Sequence, residues 1–447
     1  MSAAQPCTVC VIGLWHLGSV TAACLAKLGY RVIGVDPDAP RVAQLQHGEP
    51  PLFEPGLGEL LQEQLASGRL TFTTDFPAGV RLADVVVIAY DTPVDAEDEV
   101  DLRPVTEAVA AIAPHMKRDA LVIVESQVPV GTCESLQAAL RRAQPHSAVS
   151  VACVPENLRL GQAITRFLHP AMLILGADDP ETLHRVDAFL RGIVSPRVPM
   201  SLKTAEMTKH ALNAFFATCV SFANEVGALC DQIGADGLTV ARVMRLDERI
   251  GPQALVIPGS PFGGGTLARD VKALQRMGRS HHRDTPLLDA VVTVNERQKD
   301  WVRSWLLAAF GTLEGLTIGV LGLTYKAGTS TLRRSPVLEM IHRLLASGAG
   351  VKAYDPKADL SELGAAVPFS VCASPGEVAE GSDALVVATE WPEFRSLEFR
   401  QLRGKLRIPL ILDPKNCLDP TAVTNAGCRY VGVGRGVRQK TAEEARL

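Results

Sequence analysis

Residues 7–36 read CTVCVIGLWHLGSVTAACLAKLGYRVIGVD, and this stretch decides the fold. CTVCVIG (7–13) is a short apolar run of the kind buried in a parallel sheet. A glycine turn follows, then an alanine-rich helix expected over Leu17–Leu28. RVIGVD (31–36) is a second strand that ends in an acid. Strand, glycine turn, helix, strand, acid is the order of a dinucleotide-binding unit. Asp36 lies about twenty residues past the turn. A carboxylate there holds both hydroxyls of an adenine ribose and repels a 2′-phosphate, so NAD is expected rather than NADP. The turn departs from G-x-G-x-x-G. Gly13-Leu14-Trp15-His16-Leu17-Gly18 keeps the first and third glycines and puts Trp15 at the second, where backbone normally approaches a pyrophosphate. Gly13, Trp15, His16, Leu17, Gly18 and Asp36 are the residues expected to face the cofactor.

Outward from this unit, strands and helices continue to alternate. ADVVVIAY (83–90) and ALVIVES (120–126) are β-branched runs followed by the proline loops DTP (91–93) and QVPVGT (127–132). Loops at the carboxyl ends of parallel strands line the ligand crevice, which adds Thr92, Pro93 and Gln127 to the cofactor side. AVSVACV (148–154) leads into Pro155-Glu156-Asn157, and AMLILGA (171–177) is expected to be the last strand of this part. Residues 201–232 read as one long helix, apolar almost all round beyond Lys209 and so expected to be buried, as a connector or a dimer core. From residue 317 the pattern restarts with TIGVLGL, VKAYDP, ALVVATEW and PLILDPKN. The expected fold class is α/β, with two Rossmann-like doubly wound parallel-sheet domains joined by a long central helix. The expected division is 1–200, 201–300 and 301–447.

The bulk numbers agree with this plan. A chain of 447 residues calls for two or three domains. Its 47% apolar and 21% charged residues are ordinary for a globular protein. A net charge of −4 gives no reason to expect nucleic acid or an anionic membrane as partner. No run is read as spanning a bilayer and no basic leader is read at the start, so a cytoplasmic location is expected. The ten cysteines are scattered. Cys7 and Cys10 have CxxC spacing but no second pair completes a zinc site, so no metal is expected and free buried thiols are.

Several segments together resemble the UDP-glucose/GDP-mannose dehydrogenase family along nearly the full length. They are VDPDAPRVAQLQHGEPPLFEPGLGELL, DTP, SQVPVGT, PENLRLG, AEMTKHALNAFFATCVSFANEVG, PFGGGTLARD, GLTYKAG, RRSP, AYDP and ATEWPEF. The resemblance implies an N-terminal NAD-binding domain, a central helical domain that forms a homodimer, and a C-terminal domain that binds the nucleotide of a nucleotide-sugar substrate. It implies oxidation of a sugar alcohol to an acid with two NAD. By the same resemblance Lys209, Asn213, Glu156 and Asp270 match catalytic positions. Phe262, Gly263, Gly264, Gly265, Lys326 and Arg249 match substrate contacts, and Arg333 matches the arginine before Ser-Pro, placed with the cofactor contacts.

The departures fall at the chemistry. Carrying an aldehyde to an acid by the family's route requires a thiolate that adds to the carbonyl and forms a thioester. Thr266 stands at that cysteine position, and a hydroxyl is a far weaker nucleophile. Arg269, Gln127, Leu160, Asp91, Ser330 and Thr331 also differ from the family pattern. No cysteine substitutes: Cys219 lies ten residues past Lys209 on one helix, about 15 Å along its axis. The expectation is an NAD-dependent oxidoreductase making a single alcohol-to-carbonyl oxidation of a nucleotide sugar. Full oxidation without a thioester, a catalytically silent nucleotide-binding protein and an NAD recycled within one turnover are the other readings.

Overall fold

The computed structural model describes residues 7–95, 99–263, 265–364 and 367–436. Eight strands build the first sheet: β1 (Thr8–Ile12), β2 (Arg31–Val35), β3 (Leu70–Thr73), β4 (Val85–Ile88), β5 (Leu121–Val124), β6 (Ser150–Cys153), β7 (Leu173–Gly176) and β8 (Arg197–Met200). Their order is β3-β2-β1-β4-β5-β6-β7-β8, parallel throughout except for the antiparallel β6–β7 pair. Six strands build the second: β9 (Thr317–Leu321), β10 (Gly350–Tyr354), β11 (Ser370–Val371), β12 (Ala384–Val387), β13 (Leu410–Asp413) and β14 (Arg429–Gly432). Their order is β11-β10-β9-β12-β13-β14, all parallel. The order reverses between β1 and β4 and again between β9 and β12, where the crevices of doubly wound sheets open.

The hydrophobic runs read as strands are buried on both faces. Every residue of β4, β5, β12 and β13 is buried, as parallel strands covered by helices on both sides require. The first helix is His16–Lys27, and its alanines let it lie flat on the sheet, with residues 16–26 all buried.

Two expectations are corrected here. AMLILGA is not the last strand of its sheet, because β8 (Arg197–Met200) pairs outside it. Arg-Val-Pro-Met gives a poor strand signal, but Pro199 is tolerated at a sheet edge, where one row of N–H groups has no strand to bond. The long helix, Leu202–Ile233, is not buried all round. Phe215, Phe222, Leu229 and Ile233 are 63%, 47%, 61% and 78% exposed within the chain. Their spacing puts them in one stripe, while Glu206, Lys209, His210, Asn213, Asn224 and Asp231 turn inward and are buried. By length and composition alone this helix could cross a membrane. Its inward polar side chains are instead tied to protein: Glu206 accepts from Gly131 N and Cys133 N, and Asp231 from Gly434 N and Gly436 N.

The chain divides into two compact units, Met1–Ala211 and Leu212–Leu447. The long helix begins in the first and continues in the second.

Candidate active site

In the first unit the glycine turn is built by close packing. Gly13 has φ +88°, a left-handed conformation that side chains rarely adopt. A Cβ on Gly18 would lie 1.7 Å from the Gly13 carbonyl oxygen, so the two glycines let the helix start directly against the strand end. Asp36, at the end of β2, is buried and accepts from Leu14 N at 2.6 Å, Arg41 Nη1 at 2.9 Å and Asp38 N at 2.9 Å. His16 is turned inward and meets Glu54 at 2.9 Å. Glu54 also accepts from Gly161 N and Ala163 N, tying the turn to the loop after β6. Burial pushes the Glu54 carboxyl up, but His16 and the two N–H donors outweigh it and hold the group below its ordinary value.

The loops after β4 and β5 complete this side. Asp91 accepts from Leu17 N at 2.9 Å, and Thr92 Oγ1 donates to the Gln127 carbonyl at 2.9 Å. Pro93 accepts from Asp101 N, which pins the far end of the same loop. The glycine pair and the acid at the end of β2 fit a dinucleotide: they would hold the adenosine half, as in other folds of this order.

Lys209 enters the same unit from the long helix. It is buried, and its ammonium lies 3.2 Å from Glu156 Oε1, while Glu156 Oε2 accepts from Leu158 N at 2.7 Å. Glu156 sets an opposite charge beside this buried side chain. Glu156 also lines a cavity of about 60 Å³ with Thr21, Leu25, Glu125, Asn157 and Phe167. Glu125 accepts from Thr21 Oγ1 at 2.7 Å. Burial pushes its pKa up to about 8; Thr21 opposes this, and the negative Glu156 and Asp91 add to it.

The second unit carries the remaining residues. Asn213 Nδ2 donates to Asp270 Oδ2 at 2.5 Å, and both side chains are buried. Asp270 lies in the first turn of the helix Leu267–Ser280, where an anion is favoured by the helix dipole. Thr266 is the N-cap of that helix, exposed, with no side-chain cap bond. Among the described residues no base is hydrogen-bonded to its hydroxyl. Phe262 is buried, and Asn295 holds its backbone by accepting from its N–H at 2.9 Å and donating to its carbonyl at 3.1 Å. Gly263 packs against the Arg334 carbonyl and Pro336, each 3.4 Å from where a Cβ would sit. Gly265 is open to space, and Gly264 lies outside the described residues. Lys326 reaches the electrostatic surroundings of the half-buried Glu390, which Lys415 contacts at 3.1 Å. Arg249 is exposed and paired with Asp247 at 2.7 Å, and Arg333 is exposed on the loop after β9.

Burial raises the thiols of Cys7, Cys10, Cys24, Cys219 and Cys417, Cys219 included, so none of these is poised as a thiolate. Glu125, Glu54 and Asn295 were not singled out from the sequence. Their roles come from contacts 104, 38 and 33 residues away along the chain, which no local motif announces.

Residues 7–193 match the NAD binding domain of the UDP-glucose/GDP-mannose dehydrogenase family, 203–297 its central domain and 319–420 its UDP binding domain. The chain belongs to the UDP-glucose/GDP-mannose dehydrogenase family. It is 38% identical over 443 residues to a UDP-glucose 6-dehydrogenase of Pseudomonas aeruginosa, covering 96% of this chain and 97% of that one. A UDP-glucose 6-dehydrogenase of Bacillus subtilis is 35% identical over 431 residues, covering 96% and 97%. The solved UDP-glucose dehydrogenase of Pyrobaculum islandicum superposes with a TM-score of 0.86 at 32% identity, covering 97% of this chain and 99% of that one. These relatives are named as dehydrogenases of UDP-glucose, and this chain carries the family's NAD binding and UDP binding domains.

Proposed function

We propose that this chain oxidises the alcohol of a UDP-sugar with NAD and releases the carbonyl product after one hydride transfer. The observation that carries the reading is Thr266: it stands at the N-cap position of its helix with an exposed hydroxyl that makes no cap bond and, among the described residues, has no base bonded to it. The polar pairs Lys209–Glu156 in the first unit and Asn213–Asp270 in the second remain. NAD, when bound, accepts the hydride. The chain's residues handle the proton and the charge. The Lys209 ammonium and the Asn213 amide stabilise the oxygen that becomes negative as the hydroxyl proton leaves. Glu156 and Asp270 orient these two donors and give the proton a place to go. Lys326, Phe262 and the glycines 263–265 hold the nucleotide of the substrate, with Arg249 at its edge, and Arg333 serves the cofactor.

The three-part division 1–200, 201–300 and 301–447 follows the family plan. The stripe of Phe215, Phe222, Leu229 and Ile233 favours a homodimer, since contiguous apolar surface is seldom left to water. Ten free thiols favour a reducing, cytoplasmic setting.

The test incubates the protein with NAD and a panel of UDP- and GDP-sugars, following NADH and identifying the product by mass. One NADH per sugar with an aldehyde or ketone is the expected outcome. Two NADH per sugar with the acid would favour full oxidation, the activity named for its relatives. No NADH with any sugar overturns the enzymatic reading.

A further inference from the structure

In this fold the pyrophosphate of a dinucleotide is held at the N-terminus of the first helix, by N–H groups and the helix dipole. Here a carboxylate of the chain itself already sits on that helix end. Asp91, on the loop after β4, reaches across the point where the strand order reverses and accepts from Leu17 N at 2.9 Å, 74 residues away along the chain. The N-cap, Trp15, makes no side-chain cap bond, and Asp91 supplies a side-chain acceptor to the first turn. Asp36 takes the neighbouring Leu14 N–H at 2.6 Å. Two N–H groups of the turn are thus held by fixed anions, and the glycine that would bring bare backbone to a phosphate is Trp15.

We propose that Asp91 is an internal anion that competes with the pyrophosphate for the first helix, and so sets this chain's affinity for NAD. The inference rests on the NAD-dependent reading above. Dinucleotide binding then requires the Asp91 carboxylate to leave Leu17 N, because two like charges cannot share one donor without repulsion. Helix capping alone would also explain the contact. Glu54 and Glu206 close other helix ends in the same unit. What sets Asp91 apart is its position at the strand-order reversal, and that is what the experiment addresses.

Binding of NAD, ADP-ribose and adenosine to the full chain is measured by calorimetry for the wild type, Asp91→Asn and Asp91→Gly. Both variants are expected to tighten NAD and ADP-ribose by about tenfold or more, the lower end of what a displaced charge-assisted hydrogen bond is worth. Adenosine carries no phosphate, so its affinity should not move, and its binding shows that the variants are folded. Unchanged or weaker NAD and ADP-ribose, with adenosine unaltered, makes Asp91 a structural cap and overturns the proposal while the NAD reading stands. An equal gain for adenosine means general loosening and overturns it too. If no variant binds any of the three, the NAD reading and the proposal fall together.

Discussion

Replacing Glu125 by glutamine removes a proton equilibrium and leaves the shape of the side chain intact. The carboxyl sits just beyond β5, accepts from Thr21 on the first helix, and shares its cavity with Glu156 and with Arg166 of the helix Ala163–Leu168. Asp91, from the loop after β4, adds its negative charge. Burial first, then these acids, raise the group from 4.5 to about 8. An unfolded chain loses this proton near 4.5, whereas the folded chain keeps it to about 8. Stability from this group is therefore complete below the lower value and declines as pH rises towards the upper one, with no further loss beyond. At about 1.4 kcal/mol per factor of ten in proton affinity, the ceiling is about 5 kcal/mol. Water entering the cavity lowers this to on the order of 2–4 kcal/mol. Glutamine imitates the protonated acid, so the variant should match the wild type within about 1 kcal/mol in mild acid. It should become progressively the more stable of the two in mild alkali. Urea unfolding followed by circular dichroism across that range measures the gap. Two curves that stay parallel at every pH would refute the claim that Glu125 is folded as the neutral acid.

Three further outcomes follow from the site. Thr266→Cys returns a thiol to the N-terminus of the helix Leu267–Ser280, where the dipole favours a thiolate; product analysis should then show acid, and a product unchanged from wild type would mean that more than the nucleophile separates this chain from the family's reaction. Lys209→Met keeps the length and loses the charge beside Glu156; kcat should fall by about a hundredfold or more with KM little changed, as expected for a group that stabilises charge only in the transition state, and an equal rise in KM would reassign Lys209 to substrate binding. Gly18→Ala places a Cβ 1.7 Å from the Gly13 carbonyl oxygen, so the first unit should lose several degrees in its thermal midpoint and its NAD binding; normal binding would show that the turn can relax.

The fold was legible because its elements are local. Residues 7–36 carry the strand, turn, helix and acid within thirty residues, and the runs at Val85–Ile88, Leu121–Val124 and Ala384–Val387 announce parallel strands without any partner being known. β8 escaped because four residues with a central proline leave almost no pattern. The long helix was placed within a residue at either end, but its exposed stripe was hidden by an apolar composition that does not distinguish the side facing the chain from the side facing away. At the site, Lys209 and Glu156 form a pair and so do Asn213 and Asp270. The sequence could nominate those residues but not pair them. Asp91 was visible only as a departure from the family pattern. That its carboxylate closes the helix of the glycine turn depends on the loop after β4 meeting the loop after β1, a consequence of strand order rather than of spacing.

The ten thiols, all free and most of them masked by burial, also make a clock for how the molecule opens. Cys10, Cys24, Cys133 and Cys153 lie in the interior of the first unit, Cys230 and Cys428 in that of the second, while Cys7, Cys219, Cys372 and Cys417 are half-buried. An alkylating reagent added in brief pulses would tag the half-buried set first, and the interior sets only when their surroundings part. The order of tagging, read by mass, would rank the two sheets by their resistance to opening without any foreign label being introduced.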